Sequence, residues 1–324
     1  MENEEGSTIS MDEIVEALRD KSPKELLSYA IFNEEEEAKY YAKLAKRAKR
    51  ASIKALFIKM SEDSKGHHDW LYGLFKKMYP DEEPVKVEAP PVEVAPFYPE
   101  FESVEDYISA LKYCMESELF AKKTYELLAR VAKDEDTRAF ALNLAAMEED
   151  HYNSIRKMYE LILSLEEKEI TPEKLEPGGY LFTDELKAKY FLIDLLESGV
   201  ELSVAIREKP EKFLEMLDST KVSVVWITKT EVEGSIRPDE IPLLKRRFCE
   251  FLGKRSEGDK KGAVFLQNLG YLALELGFKS MMDVVLYLKD CALLYDGYIL
   301  ATAVKDAFSP REWALLTSEL REVS

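Results

Sequence analysis

An internal duplication constrains the fold of the first half of this chain. A shift of 84 residues places a set of residues on identical residues, namely His151 on His67, Tyr125 on Tyr41, Glu118 on Glu34, Leu128 on Leu44 and Ala139 on Ala55. The same shift places Glu148 on Ser64, so one polar position differs between the copies. The first half is therefore expected to contain two similar units.

Each copy is predicted to be a helical hairpin. Ser22-Pro23-Lys24-Glu25 forms a capping box that starts the first long helix. Between the hairpins, residues 80–99 carry six of the 13 prolines, a composition that favours an extended connection. Two helical hairpins joined by a long connection predict a four-helix bundle with one crossover. The helices are expected at about residues 22–49, 52–78, 103–132 and 134–165.

The hairpin arrangement predicts that several polar residues converge. In the second hairpin, Glu118 and Glu148 are equidistant from the predicted turn. In the first hairpin, Glu34 and Ser64 are equidistant from theirs. Residues so placed lie at equal height on antiparallel helices, so all four are expected at one level of the bundle. A histidine follows one helical turn further on in each hairpin.

The polar set is interpreted as a metal site. Glu148 and His151 are three residues apart and lie on one helix face. Apolar residues surround Glu118 and Glu148 at helical spacing, which indicates that both carboxylates point inward. A single such Glu is more often a surface residue or part of a core ion pair. The repeated set favours a divalent ion, because hard or borderline ions prefer oxygen and imidazole ligands.

These residues resemble the ferritin-like, rubrerythrin-type non-haem di-iron proteins over about residues 22–165. The half-site of that family reads Glu-x-x-Ala/Glu-x-x-x-Tyr on one helix and Glu-x-x-His on the next. The second copy matches it in full, and the first copy has Ser64 where Glu belongs. The matching residues are Glu118, Ala121, Tyr125, Glu148 and His151 in the second copy, and Glu34, Glu37, Tyr41 and His67 in the first.

The resemblance implies a site for two iron ions. Its implied members are terminal carboxylates from Glu34 and Glu118, imidazoles from His67 and His151, a bridging carboxylate from Glu148, and hydrogen-bonding partners in Tyr41 and Tyr125. Tyrosines at this spacing also occur as ordinary core residues. The repeat register selects His67 rather than the adjacent His68.

Ser64 departs from the family pattern. A neutral hydroxyl binds iron far more weakly than a carboxylate does, so one of the two metal positions is expected to be weak. Glu37 lies one turn from Glu34 and is a candidate substitute ligand, as is a water held by Ser64.

The second half of the chain has a different pattern. Short β-rich runs alternate with helices, which predicts an α/β domain with a mostly parallel sheet. Strands are expected at about residues 201–206, 222–227, 263–266 and 298–303, and helices at about 184–197, 210–217, 242–253, 280–294 and 309–320.

Several short segments of this second half carry a resemblance of their own. The segments include Gly179-Tyr180-Leu181, Ile236-Arg237-Pro238 and Phe308-Ser309-Pro310-Arg311-Glu312. Through them, residues 176–324 resemble an archaeal family catalogued as domain of unknown function 835. That resemblance implies no activity.

No ligand site is assigned in the second half. No glycine-rich phosphate-binding loop follows a predicted strand, which argues against nucleotide hydrolysis. Ligands of open α/β sheets bind beyond the carboxyl ends of the strands. Polar residues at the ends of strands are more often ordinary loop residues than ligand-binding residues. At the predicted strand ends of this chain the polar residues are Arg207, Glu208, Thr228, Lys229, Gln267, Asn268 and Lys305.

Composition restricts the location and partners. The net charge of -18 disfavours nucleic acid and anionic membranes as partners. No apolar run of about 18 residues and no signal peptide is present, so a cytoplasmic protein is expected. The three cysteines are far apart and form no Cys-x-x-Cys pair, so no disulfide framework is expected. One Gln and 33% charged residues resemble proteins from hot environments, which suggests a thermophile, and the resemblance of residues 176–324 to an archaeal family implies an archaeal source.

The predicted organisation is an N-terminal extension over residues 1–21, a bundle over 22–168, a linker over 169–179 and an α/β domain over 180–324. The resemblance implies an oxidase or peroxidase that acts on peroxide or dioxygen. The chain carries no cysteine-rich rubredoxin module, so an external electron donor such as a rubredoxin-like protein is expected.

Other interpretations stay open. One is a metal- or redox-responsive sensor, in which a degenerate iron site controls a protein-binding α/β domain. Another is a structural bundle that has lost its metal. The long crossover also permits a homodimer with exchanged hairpins.

Overall fold

The computed structural model describes residues 10–92, 97–217, 219–230, 232–258 and 260–323. The chain divides into two compact units, Met1–Tyr159 and Glu160–Ser324. The first nine residues of the predicted N-terminal extension lie outside the described residues, as do residues 93–96 of the predicted crossover. Within the described part of the chain, no helix is both long enough and apolar enough to cross a membrane.

The first unit is helical, and its long helices confirm the sequence prediction to within two residues at each end. Helix α5 continues past the boundary between the units. The helices are α1 (Met11–Leu18), α2 (Pro23–Arg47), α3 (Ala51–Met78), α4 (Val104–Val131) and α5 (Glu135–Glu167).

Local capping explains where these helices begin. The Ser22 side chain accepts a hydrogen bond from the Glu25 amide, and the Glu25 carboxylate accepts one from the Ser22 amide in return. The same reciprocal pair starts α4, where Ser103 and Asp106 take these roles. Each box satisfies backbone donors that have no partner inside the helix. These contacts are local in sequence, which is why the helix starts were predictable.

The bundle closes around an apolar core to which all four long helices contribute. Leu27 of α2, Phe75 of α3, Leu128 of α4 and Leu144 of α5 are buried in one cluster. Each fully buried Leu or Phe stabilises the fold by about 1.5–3 kcal/mol. The crossover is attached to this unit, because the Tyr29 hydroxyl donates a hydrogen bond to the carbonyl oxygen of Pro90 at 2.6 Å. The predicted four-helix bundle with a long crossover is confirmed.

The second unit contains a seven-stranded sheet whose strands pair in the order β4-β3-β2-β5-β6-β1-β7. Every ladder in it is parallel. The predicted α/β fold is therefore confirmed. The strands are β1 (Gly178–Phe182), β2 (Glu201–Ile206), β3 (Val222–Ile227), β4 (Ser235–Ile236), β5 (Gly262–Leu266), β6 (Tyr298–Thr302) and β7 (Arg321–Glu322).

Helices cover both faces of this sheet. Leu181 and Val264 face the core cluster that includes Phe248 and Leu288. The residue after Leu181, Phe182, packs on the other side, where its ring is tilted against that of Phe191 with centroids 5.4 Å apart. Burial on both faces is usual for parallel strands. The helices are α6 (Glu185–Glu197), α7 (Pro210–Leu214), α8 (Ile241–Glu257), α9 (Leu269–Leu276), α10 (Phe278–Leu294) and α11 (Pro310–Glu319).

Sequence reasoning missed β1, β4, β7 and α9. Strand β1 begins inside the segment predicted as a linker, because the pair Gly178-Gly179 reads as a turn. The structure gives a packing reason for the second glycine. A Cβ atom at Gly179 would lie 2.4 Å from Cδ2 of the buried Leu320. Close packing of the Leu320 side chain, and not a need for backbone flexibility, thus explains the glycine at position 179.

Gln267 is a buried hydrogen-bonding centre at the carboxyl ends of β2 and β5. Its Oε1 atom accepts from the backbone amides of Arg207 at 2.6 Å and Glu208 at 3.3 Å. Its Nε2 atom donates to the carboxylates of Glu185 and Glu208, both at 3.1 Å. The side chain is 3% exposed, and these four contacts use its whole hydrogen-bonding capacity. This arrangement favours a structural role for the strand-end residues around it.

The expectation of no disulfide was wrong. Cys249 of α8 and Cys291 of α10 form a disulfide with a Cα–Cα distance of 5.5 Å, whereas Cys114 is a buried free thiol. The two partners are 42 residues apart, and only the packing of α8 against α10 brings them together. Spacing along the chain therefore could not reveal the pair.

Reduction of this disulfide is expected to destabilise the second unit. A cross-link between distant residues restricts the unfolded chain, and its loss typically costs about 2–4 kcal/mol. The Cys249→Ser/Cys291→Ser variant should show this loss in urea unfolding, and the wild type in a reducing agent should reproduce it. The double variant itself should be insensitive to the reducing agent. Equal stability of the oxidised and reduced wild type would contradict the expectation.

Candidate metal centre

Four buried donor residues converge inside the bundle: Glu37 of α2, Glu118 of α4, and Glu148 and His151 of α5. One ligand atom from each lies within 4.8 Å of the others. His151 Nδ1 is 3.4 Å from Glu37 Oε1, 3.6 Å from Glu118 Oε2 and 4.0 Å from Glu148 Oε2. The three residues contributed by the second copy of the duplication are thus together, as predicted from their spacing.

A second pair lies beside these four residues. Glu34 Oε2 is 3.4 Å from Nδ1 of His67, and the His67 ring stacks on the His151 ring with centroids 5.1 Å apart. Glu34 is buried, whereas the His67 side chain is 24% exposed. The two residues predicted as ligands from the first copy therefore adjoin the four-residue cluster without belonging to it.

Glu37 breaks the symmetry of the duplication. Its equivalent in the second copy is Ala121, yet Glu37 is the residue from the first copy that joins the cluster. The Ser64 hydroxyl lies 3.1 Å from Glu37 Oε2 and 2.8 Å from the carbonyl oxygen of Met60. The serine that replaces a carboxylate thus contacts the extra carboxylate. The spacing Glu-x-x-Glu was the sequence signal for Glu37, but the role of Ser64 required the structure.

The two tyrosines are buried next to the carboxylates. The Tyr41 hydroxyl donates a hydrogen bond to Oε1 of Glu118. Tyr125 lies near Glu148, and burial together with this carboxylate raises the pKa of its phenol. His68, by contrast, pairs with the exposed Asp69 at 3.0 Å and takes no part in the cluster.

Burial dominates the electrostatics of the site. It raises the pKa of Glu34 from 4.5 to about 7, and burial together with Glu37 raises the pKa values of Glu118 and Glu148. Burial also raises the pKa of Glu37, but the adjacent His151 outweighs it and leaves the pKa below its usual value. For His151, burial lowers the pKa, and the carboxylates of Glu37 and Glu118 outweigh this effect and raise it. One imidazole thus faces several carboxylates, and ionising all of them in this buried site would cost free energy.

The residues present fit a divalent metal ion. Four buried polar atoms of the cluster and the adjoining pair have no hydrogen-bond partner: Glu34 Oε2, His67 Nδ1, and both ring nitrogens of His151. A buried polar atom without a partner costs about 1–3 kcal/mol, which coordination would offset. Carboxylate oxygens and imidazole nitrogens are ligands that iron and similar divalent ions accept.

The fold and the site together define a class of protein, a ferritin-like helical domain with a buried carboxylate–histidine cluster compatible with a di-iron site. Comparison with protein families supports this class. Residues 25–159 match the family described as Rubrerythrin, and residues 181–320 match the family described as Protein of unknown function (DUF835). The chain therefore joins a rubrerythrin-type domain to a DUF835 domain.

Comparison with solved structures finds similarity to a hypothetical protein from Pyrococcus furiosus. The sequences are 32% identical, and the match covers 46% of this chain and 95% of that chain with a TM-score of 0.39. No curated protein matches the chain significantly.

The raised pKa of Glu34 predicts a pH dependence of stability. Between pH 4.5 and about 7 the folded protein keeps a proton that the unfolded chain releases. The free energy of unfolding of the metal-free protein should therefore fall as pH rises from 5 to 7, by about 2–3 kcal/mol if Glu34 acts alone. The raised pKa values of Glu118 and Glu148 act in the same direction, and the lowered pKa of Glu37 opposes them.

Urea unfolding of the metal-free protein at several pH values checks this dependence. The Glu34→Gln variant should show a shallower slope between pH 5 and 7, because its amide does not titrate. Glu35→Gln is the matched control, since Glu35 is adjacent but only partly buried and paired with Lys39 at 2.8 Å. Stability that rises with pH over this interval would refute the expectation.

Proposed function

We propose that the N-terminal domain binds iron at this cluster and works as a peroxidase or oxidase that acts on peroxide or dioxygen. The observation that carries the proposal is the convergence of Glu37, Glu118, Glu148 and His151 in a buried core of a rubrerythrin-type domain. For peroxide, the overall reaction is H₂O₂ + 2 H⁺ + 2 e⁻ → 2 H₂O. When bound, iron would supply the change of oxidation state that delivers the electrons.

The residues present would serve two unequal metal positions. Glu37, Glu118, Glu148 and His151 would hold one ion, and Glu34 and His67 would contribute most of the second position. Ser64 offers a hydroxyl where a carboxylate would bridge, so the second position is the weaker one. This asymmetry supports one tightly bound ion and one weakly bound ion per chain.

The surrounding residues would orient the ligands and restrict water. Tyr41 donates a hydrogen bond to Oε1 of Glu118 and so restricts the orientation of this carboxylate. The Ser64 hydroxyl orients Glu37. The donor residues are nearly inaccessible to solvent apart from His67, so the exposed edge of His67 is the side on which a small oxidant would approach. Exclusion of water strengthens the electrostatic interactions within such a site.

A second candidate function is a metal- or redox-responsive sensor, and Ser64 is the observation that favours it. A site with one weak position would bind or release an ion as conditions change. In that case, binding or release of the ion would control the α/β domain, and no peroxide would be consumed catalytically. Peroxide consumption with a chemical reductant separates the two functions, since only the first predicts many turnovers per chain.

The ligand role of Glu148 predicts a selective loss of iron. In the Glu148→Gln variant, the affinity for iron after anaerobic loading should fall at least about tenfold, because a neutral amide replaces a carboxylate that would hold the ion. Glu149→Gln is the matched control, since Glu149 is exposed and paired with Lys122 at 2.8 Å. Elemental analysis and peroxide consumption are the measurements. Wild-type protein that takes up no iron would refute the proposed function.

The weak second position predicts a gain of iron on restoring the missing carboxylate. Ser64→Glu should raise the bound iron from about one to about two ions per chain, because a carboxylate can bridge two ions where a hydroxyl cannot. Ser64→Ala removes the hydroxyl without adding a carboxylate and should not raise the count. The same iron content in Ser64→Glu and wild type would contradict the asymmetry of the site.

A further inference from the structure

One stretch of this acidic chain is strongly basic. Residues 38–65, which span the end of α2 and the first half of α3, contain nine Lys and Arg residues against two acidic residues. The whole chain has the opposite balance, with 45 basic and 63 acidic residues. A local basic surface on an acidic protein selects partners of opposite charge.

The basic stretch contains a groove of about 370 Å³ between α2 and α3. Ala42, Ala45 and the partly exposed Ile58 supply its apolar floor, and Lys46, Lys54 and Lys65 line it. All three lysines are exposed. We refer to this surface as the lysine groove.

The lysines of the groove differ from most of their basic neighbours in having no acidic partner. Arg47 pairs with Glu100 and Lys59 pairs with Asp63. Among the described residues, Lys46, Lys54 and Lys65 make no ion pair. One carboxylate, that of Glu62, also lines the groove. The groove therefore keeps a net positive charge that a partner can use.

The lysine groove adjoins the cluster of Glu37, Glu118, Glu148 and His151. Ser61 lines the groove, and its hydroxyl donates a hydrogen bond to the carbonyl oxygen of Ala38 at 2.8 Å. Ala38 follows Glu37 in α2, and Ser64, which contacts Glu37, lies one turn beyond Ser61 in α3. Three residues of helix span about 4.5 Å along the axis. A partner seated in the groove would thus be separated from Glu37 by little more than the packed layer between α2 and α3.

We propose that the lysine groove docks a small redox protein that presents a carboxylate-rich rim around an apolar centre, and that this partner delivers electrons to the cluster. The electron delivery rests on the proposed function, whereas the docking does not. Each partner molecule is oxidised by one electron, so two are consumed for each peroxide that takes up 2 e⁻ and 2 H⁺ to give two waters. The apolar floor matches the apolar centre, and the three lysines match the carboxylates.

The test uses the full iron-loaded chain and reduced acidic rubredoxin as the probe. Stopped-flow measurement of rubredoxin oxidation in the presence of peroxide gives a second-order rate constant. In the Lys46→Glu/Lys54→Glu/Lys65→Glu variant, this constant should fall about 10–100-fold at low ionic strength, because like charges then face each other. The difference should shrink in about 0.5 M salt, where charges are screened within a few ångströms.

The matched control is Lys77→Glu/Lys86→Glu/Lys123→Glu. These lysines are also exposed in the first unit and lie outside the lysine groove, and the variant changes the net charge by the same amount. Its rate constant should stay within about twofold of the wild type. If the rate constant fell equally in both variants, the effect would be due to the net charge of the protein and not to the lysine groove. That result would overturn the proposal. Iron content and circular dichroism confirm that each variant is folded and loaded.

Two further measurements separate the docking from the proposed function. Peroxide consumption with dithionite bypasses docking; if it occurs while rubredoxin is not oxidised, the docking proposal fails and the proposed function stands. Rubredoxin binding to the metal-free chain, measured by calorimetry, should weaken in the groove variant only. If it does so while no peroxide is consumed, the docking stands and the proposed function fails. A groove variant that changes only the oligomeric mass of the chain would assign the groove to self-association and overturn the proposal.

Discussion

The cost of burying charge is the constraint on which the N-terminal domain depends. Glu34, Glu37, Glu118 and Glu148 lie in the interior of a helical bundle, where the nearest basic groups are the imidazoles of His67 and His151. In an apolar core such carboxylates destabilise the fold unless they are protonated, paired or bound to a cation. The raised pKa values of three of them and the unpartnered nitrogens of His151 show that pairing within the protein is incomplete. A bound metal ion would complete it, so metal binding at this site would also stabilise the fold.

The duplication explains both the order of the site and its irregularity. Two similar hairpins bring equivalent positions to one level, which gives a nearly two-fold arrangement of donors. The copies have since diverged, because the first has Ser64 in place of a carboxylate and Glu37 in place of Ala121. The contact between Ser64 and Glu37 joins these two differences in one hydrogen bond. The donor pattern is therefore similar in the two copies but not identical at these two positions.

The second domain is stabilised in a different way. Its parallel sheet is covered by helices on both faces, and its polar strand ends are occupied with each other, most clearly at Gln267. The disulfide between Cys249 and Cys291 adds a covalent link between two of the covering helices. Among the described residues, the one group of His, Cys, Asp and Glu side chains arranged to hold a metal ion lies in the bundle and not in this domain. The chain thus combines a domain built around buried charge with a domain built around an apolar, cross-linked core.

The sequence alone determined the features that depend on near neighbours. Capping boxes such as Ser22 with Glu25 located the helix starts, and the repeat with the motif Glu-x-x-His identified Glu118, Glu148 and His151 as residues that meet. Tertiary packing decided the features that depend on residues far apart. It placed Glu37 rather than Glu34 in the cluster, joined Cys249 to Cys291, and made a strand of a glycine pair that reads as a turn. Periodicity reports which face of an element is apolar, whereas atomic distances between elements arise only when the helices and strands pack.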